Sequence, residues 1–143
     1  MKVTEYINLY GHLMRCVDII KSSGLYVRVE HIESIIDCLD RSNLIQTLKS
    51  IILYASRILI EKDFKSIINY IIDVMEDNEI KHPLQDYYIK DKFFYCNVFY
   101  MASNKILLSI LVQIDAKIRD LLCKSDYYTK KDLNEYHNFA GRE

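Results

Sequence analysis

The chain holds only three glycines and one proline in 143 residues. Hairpins and tight sheet turns depend on those two residue types, so a β-rich fold has little support. Tryptophan is absent, and neither charge sign prevails: 19 Lys and Arg stand against 20 Asp and Glu, a net charge of -1. Without a cationic excess, nothing neutralises a run of phosphates, which disfavours direct nucleic-acid binding by this chain. Lys124, Lys130 and Lys131 come nearest to a basic cluster, but Asp126 and Asp132 interrupt it. No apolar run approaches the roughly eighteen residues that a bilayer-spanning helix needs. The start, MKVTEYINLYGH, meets charge and polarity too early for a signal segment. These absences lead to the expectation of a cytoplasmic protein that contacts no membrane.

Cysteine is present but unpatterned. Cys16, Cys38, Cys96 and Cys123 lie far apart, each among apolar helical positions, with no CxxC pair. Disulfide scaffolds and zinc ribbons need closer spacing, so buried free thiols are expected. Gly11, Gly24 and Gly141 are too scattered to form a phosphate loop, and GxSxG, HExxH and kinase signatures are missing. No catalytic residues, no cofactor and no enzymatic activity are expected.

Helical periodicity fills most of the chain. Tyr6, Leu9, Tyr10, Leu13, Val17 and Ile20 form one stripe, which Ser22, Ser23 and Gly24 end. Ile32, Ile35, Ile36 and Leu39 form a shorter one, closed by the polar stretch Asp40 to Asn43. Leu44, Leu48, Ile51, Ile52, Ala55 and Leu59 mark a third helix. Phe64, Ile67, Ile68, Ile71, Ile72 and Met75 mark a fourth after a charged break at Glu61 to Asp63. A polar connection, Glu76 to His82, precedes Pro83, which suits the first position of another helix. After an interruption at Ser103 and Asn104, the spacing of Leu107, Leu111, Ile114, Ile118 and Leu121 predicts a central helix, with Asp115 and Arg119 paired on its outer face. Thr129 and Asp132 resemble a capping box that opens a last helix through His137. The fold class is all-α: one domain over residues 1–143, an antiparallel bundle of six to seven helices.

Candidate site residues concentrate in DKFFYCNVFYMASNKILL, Asp91 to Leu108. Asp91 and Tyr95 are four residues apart, so a helix presents both on one face. Such a pair can line a ligand site; it is equally what an exposed Asp beside a half-buried Tyr looks like. Asp91, Phe94, Tyr95, Ala102, Ser103, Asn104, Leu107 and Leu108 together resemble the helix 4 to helix 5 region of the FCD domain. That is the all-helical effector-binding domain of FadR-type members of the GntR family of transcription regulators. LNEYHNF, Leu133 to Phe139, resembles the family's later helix carrying a metal-ligating His, at His137. Ile52 to Glu76 looks like its second and third helices, so the likeness spans roughly Leu44 to Phe139.

The resemblance implies a sensor-like module that binds a small organic acid or similar effector and forms a homodimer. Asp91 and Tyr95 would line the cavity, Asn104 would shape its rim and His137 would close it. The chain departs from the metal-binding members: Tyr95 replaces the His one turn after the Asp, and the last His is missing, so no resident metal is expected. It also lacks the winged helix that binds DNA, although Ser22 to His31 is similar to the end of that module, where a helix gives way to a wing strand. A second reading is a helical protein-protein interaction or inhibitor module with no small-molecule site, whose surface tyrosines Tyr87, Tyr88, Tyr127, Tyr128 and Tyr136 contact a partner. The interior discriminates the two: a polar-lined cavity favours the first, a solid apolar core the second.

Overall fold

The protein is an all-α helical bundle. A computed structural model describes residues 2–24, 26–80, 97–124 and 126–141, and no strand occurs among them. The helix expected to open at Pro83, and with it Asp91, Tyr95, Cys96, Tyr87 and Tyr88, lies outside the described residues. Among the described residues six α-helices run in order: α1 (Val3–Ser23), α2 (Tyr26–Asp37), α3 (Arg41–Ile58), α4 (Glu61–Asp77), α5 (Asn104–Lys124) and α6 (Lys130–Gly141). A 3-10 helix, Asn97–Met101, leads into α5.

Each helix forms because its apolar residues recur on one face. The stripes of α3 and α4 are buried throughout, from Leu44 to Ala55 and from Phe64 to Met75. Helix α5 is the centre, packed against α1, α2, α3, α4 and α6. Leu107, Leu111, Ile114 and Ile118 of its stripe are fully buried, and the buried apolar residues of all the helices form one cluster.

Several boundaries depart from the sequence expectation. Asp40 does not merely close α2: its carboxylate accepts the Asn43 N–H at 3.2 Å and so caps α3. Glu61 to Asp63 is no break but the first turn of α4, where acids suit the positive end of the helix dipole. Ser22 to His31 holds no wing strand, since α2 is helical from Tyr26. The three described thiols are not buried either. Cys38 and Cys123 are exposed and Cys16 is half-buried. Cys38 falls in the turn after α2, and Cys123 lies about 120° round α5 from Leu111.

Two helix ends need left-handed backbone. Gly24 closes α1 at φ 77°. After α4, Glu79 takes φ 62°, with Glu79 N–H bonded to Glu76 O at 3.0 Å and Ile80 N–H to Met75 O at 2.8 Å. That pairing is a Schellman cap with Glu where glycine is preferred, and Ile80 packs on the core behind it. We expect Glu79→Gly to stabilise the fold by about 0.5–1 kcal/mol and Gly24→Ala to destabilise it by a similar amount. Urea unfolding of the two variants checks both signs; a loss of stability in Glu79→Gly would contradict the cap.

Candidate functional site

Of the four residues proposed to line a pocket, Asn104 and His137 fall within the described structure, and they lie far apart. Asn104 is the first residue of α5, whereas His137 on α6 places its Nδ1 against Nη1 of Arg119. Fifteen helical steps separate residues 104 and 119, about 22 Å along the axis. One small-molecule pocket therefore cannot use both.

Asn104 is buried and fully engaged. Its Nδ2 donates to the carbonyls of Ile36 at 3.1 Å, Asp37 at 3.3 Å and Leu39 at 3.2 Å. Asp37 is the last residue of α2 and Leu39 lies in the turn after it, while the Ile36 carbonyl also accepts the Leu39 N–H at 3.1 Å. Its Oδ1 accepts from Arg41 Nη1 at 3.0 Å. Arg41 Nη2 in turn donates to the carbonyls of Phe99 at 3.2 Å, Tyr100 at 2.8 Å and Ala102, the exit of the 3-10 helix. Each of two turns thus sends a side chain to cap the other, and the two side chains bond to each other. Ser103 Oγ completes the start of α5 by accepting the Ile106 N–H at 3.3 Å.

A second polar centre joins α5 to α6. Asp115 pairs with Arg119 as expected, but not on the outer face: it is only 4% exposed. Tyr136, expected at the surface, is buried completely and donates its hydroxyl to Asp115 Oδ1 at 2.6 Å. Arg119 Nε donates to both carboxylate oxygens at 3.1 and 3.0 Å, and its guanidinium lies 5.1 Å from the Tyr136 ring centroid. A buried carboxylate persists only when paired and bonded, and here a cation and a phenol do both. Burial, then the charge of Asp115, raises the Tyr136 phenol far above its ordinary pKa. Arg119 covers the pair from outside, and His137, bonded to that arginine through Nδ1, presents an acceptor nitrogen to it. Behind Tyr136, Tyr54 stacks on Phe139 with centroids 4.3 Å apart. The arrangement anchors α6 to the bundle; Tyr136 and Asp115 offer no surface to a substrate.

Tyr128, in the loop before α6, is also internal in its function. Its hydroxyl accepts the Ile60 N–H at 2.9 Å and donates to Asp63 Oδ2 at 2.7 Å. The phenol thus bridges the N-cap N–H of α4 to the carboxylate of its third residue. Burial, then the bond to Asp63, pushes its pKa up to about 12. Thr129 and Asp132 do form the expected reciprocal cap of α6, with Thr129 N–H on Asp132 Oδ2 at 2.9 Å.

Among the described residues, no group of three or more His, Cys, Asp and Glu could hold a metal ion, and no helix is long and apolar enough to cross a membrane. A surface cleft of about 330 Å³ opens between the start of α1, the outer side of α3 and Phe139. No protein-family model, no curated protein and no solved structure matches the chain.

We expect Asn104→Ala and Arg41→Ala each to cost about 2 kcal/mol, because each leaves buried carbonyls without donors. The double variant should lose well under the sum of the two, a coupling read by denaturant unfolding. Strict additivity would mean that the turns are held independently. The raised phenols set an alkaline limit. A group whose folded pKa exceeds its unfolded value of about 10 contributes stability that is intact below that pH and is lost as pH rises through the folded value. Unfolding free energy should therefore fall between about pH 10 and 12, and Tyr128→Phe should fall less steeply. Equal slopes would show that Tyr128 carries no part of this dependence.

Proposed function

We propose that the protein is a helical interaction module that engages a partner protein through the 3-10 helix before α5. The observation that carries this is a pair of adjacent apolar side chains, Tyr100 and Met101, left 53% and 60% exposed on backbone clamped by Arg41. Aromatic and methionine side chains are the types enriched where proteins meet, and a rigid anchor loses less entropy on binding. The ammonium of Lys49 lies 5.3 Å from the Tyr100 ring centroid, so the partner's complementary surface is an apolar pocket rimmed by carboxylates. The described part of the interior supports the same reading. Its buried polar side chains among the described residues, Asn104 and Asp115, are both satisfied internally. A single effector chamber of the FCD type could not use both Asn104 and His137.

A photo-crosslinker at position 101, with a control at the exposed Ile19 on α1, tests the proposal in cells. We expect an adduct specific to position 101 that Tyr100→Glu abolishes while the melting temperature stays unchanged. Sedimentation velocity on the purified chain then identifies whether the partner is a second copy. Equal labelling from positions 19 and 101, or labelling insensitive to Tyr100→Glu, would overturn it.

A further inference from the structure

The cleft beside α1 has a composition that the fold does not require. Asn43, Gln46, Thr47 and Ser50 follow one another at helical spacing along α3, forming a polar row beside the apolar face that enters the core. Thr47 uses its hydroxyl on the Asn43 carbonyl at 2.8 Å. Among the described residues, the side chains of Gln46 and Ser50 bond to none, and both are exposed in the cleft. Lys2, half-buried at the start of α1, contributes a cation from the facing wall. Phe139 closes one end, and its ring is held from behind by the stack with Tyr54 at an interplanar angle of 18°. Glu5 accepts the Lys2 backbone N–H at 3.3 Å but is exposed and does not line the cleft.

We propose that this cleft binds a small aromatic carboxylate. Lys2 would take the carboxylate, with Gln46 and Ser50 donating hydrogen bonds to its oxygens, while the planar body lies against Phe139 and Val3. Charge-assisted bonds at one end and ring stacking at the other define an acid with a ring attached. The volume, about 330 Å³, is at the low end for ligand sites and suits a molecule smaller than drug size. This site is distinct from the interface reading, since Lys49 beneath Tyr100 does not line the cleft.

Titration of the isotope-labelled full chain with benzoate, read by amide chemical shifts, tests the proposal. Acetate, which lacks the ring, and benzamide, which lacks the charge, serve as comparison arms. We expect saturable benzoate shifts centred on Gln46 and Ser50, with acetate and benzamide at least roughly tenfold weaker. Lys2→Gln should weaken benzoate roughly tenfold, and Ser50→Trp, which fills the cleft, should abolish the shifts. Gln46→Ala provides a second cleft variant should Ser50→Trp misfold by circular dichroism. Lys62→Gln on the outer side of α4 should leave binding unchanged. No saturable shift up to about 10 mM benzoate, or an affinity unchanged by Lys2→Gln and Gln46→Ala, would overturn the site.

Discussion

The bundle depends on the exchange between Arg41 and Asn104. Helix α5 is the element on which five others pack, so its starting point sets the register of the whole core. A helix start buried beside the end of another helix brings two sets of unpaired backbone groups out of water, and each unmet group costs about 1–3 kcal/mol. Ordinary local caps could serve one end at a time. Here Asn104 satisfies the end of α2 and Arg41 satisfies the exit of the 3-10 helix. Because each side chain belongs to the turn that the other one caps, neither turn can move without exposing the other.

The second half of α5 is held by charge instead of backbone capping. Asp115 is surrounded by core residues, and its ionised form is tolerable there only because Arg119 and Tyr136 direct donors at it. A carboxylate, a phenol and a histidine in one cluster superficially resemble an acid-base site. Burial decides against that here: Tyr136 and Asp115 face each other inside the α5–α6 contact, and the exposed member, His137, meets them only through Arg119. The cluster resists separation of α6 from α5, as the Thr4 hydroxyl on Ala140 O at 2.8 Å resists separation of α6 from α1.

Helix existence and the core stripes were legible from periodicity alone, as Leu44 to Ala55 and Phe64 to Met75 show. So was the cap at Thr129. Asp115 was legible too, had spacing been given precedence over polarity: it is four residues after Leu111, three before Ile118 and seven after Leu108, well inside the buried arc. Tyr136 likewise lies three residues after Leu133 and four before Ala140, both packed into the core. What no local pattern could supply is long-range pairing. Arg41 and Asn104 are 63 positions apart, and Tyr128 reaches Asp63 across 65. Nothing in a helical stripe announces that a distant phenol or guanidinium will arrive at a helix end. Asn104, seen from the sequence as a helix breaker at a pocket rim, is drawn inward because three carbonyls of the α2 end and its turn converge on it.

That inward use of polar groups bears on where the protein can act. With Asn104, Asp115, Tyr128 and Tyr136 all committed to holding helices, recognition by the described residues falls to side chains on the surface. Helix α3 organises them. Its apolar face fixes it in the core, Lys49 on one flank supports Tyr100, and the row containing Gln46 and Ser50 on another forms a wall of the cleft. An element buried along one face and capped by Asp40 at its start has little freedom to shift. Groups on its two flanks are therefore presented in fixed relation to each other, which is the condition for shape-selective contact. That rigidity makes the outer sides of α3 suitable for binding.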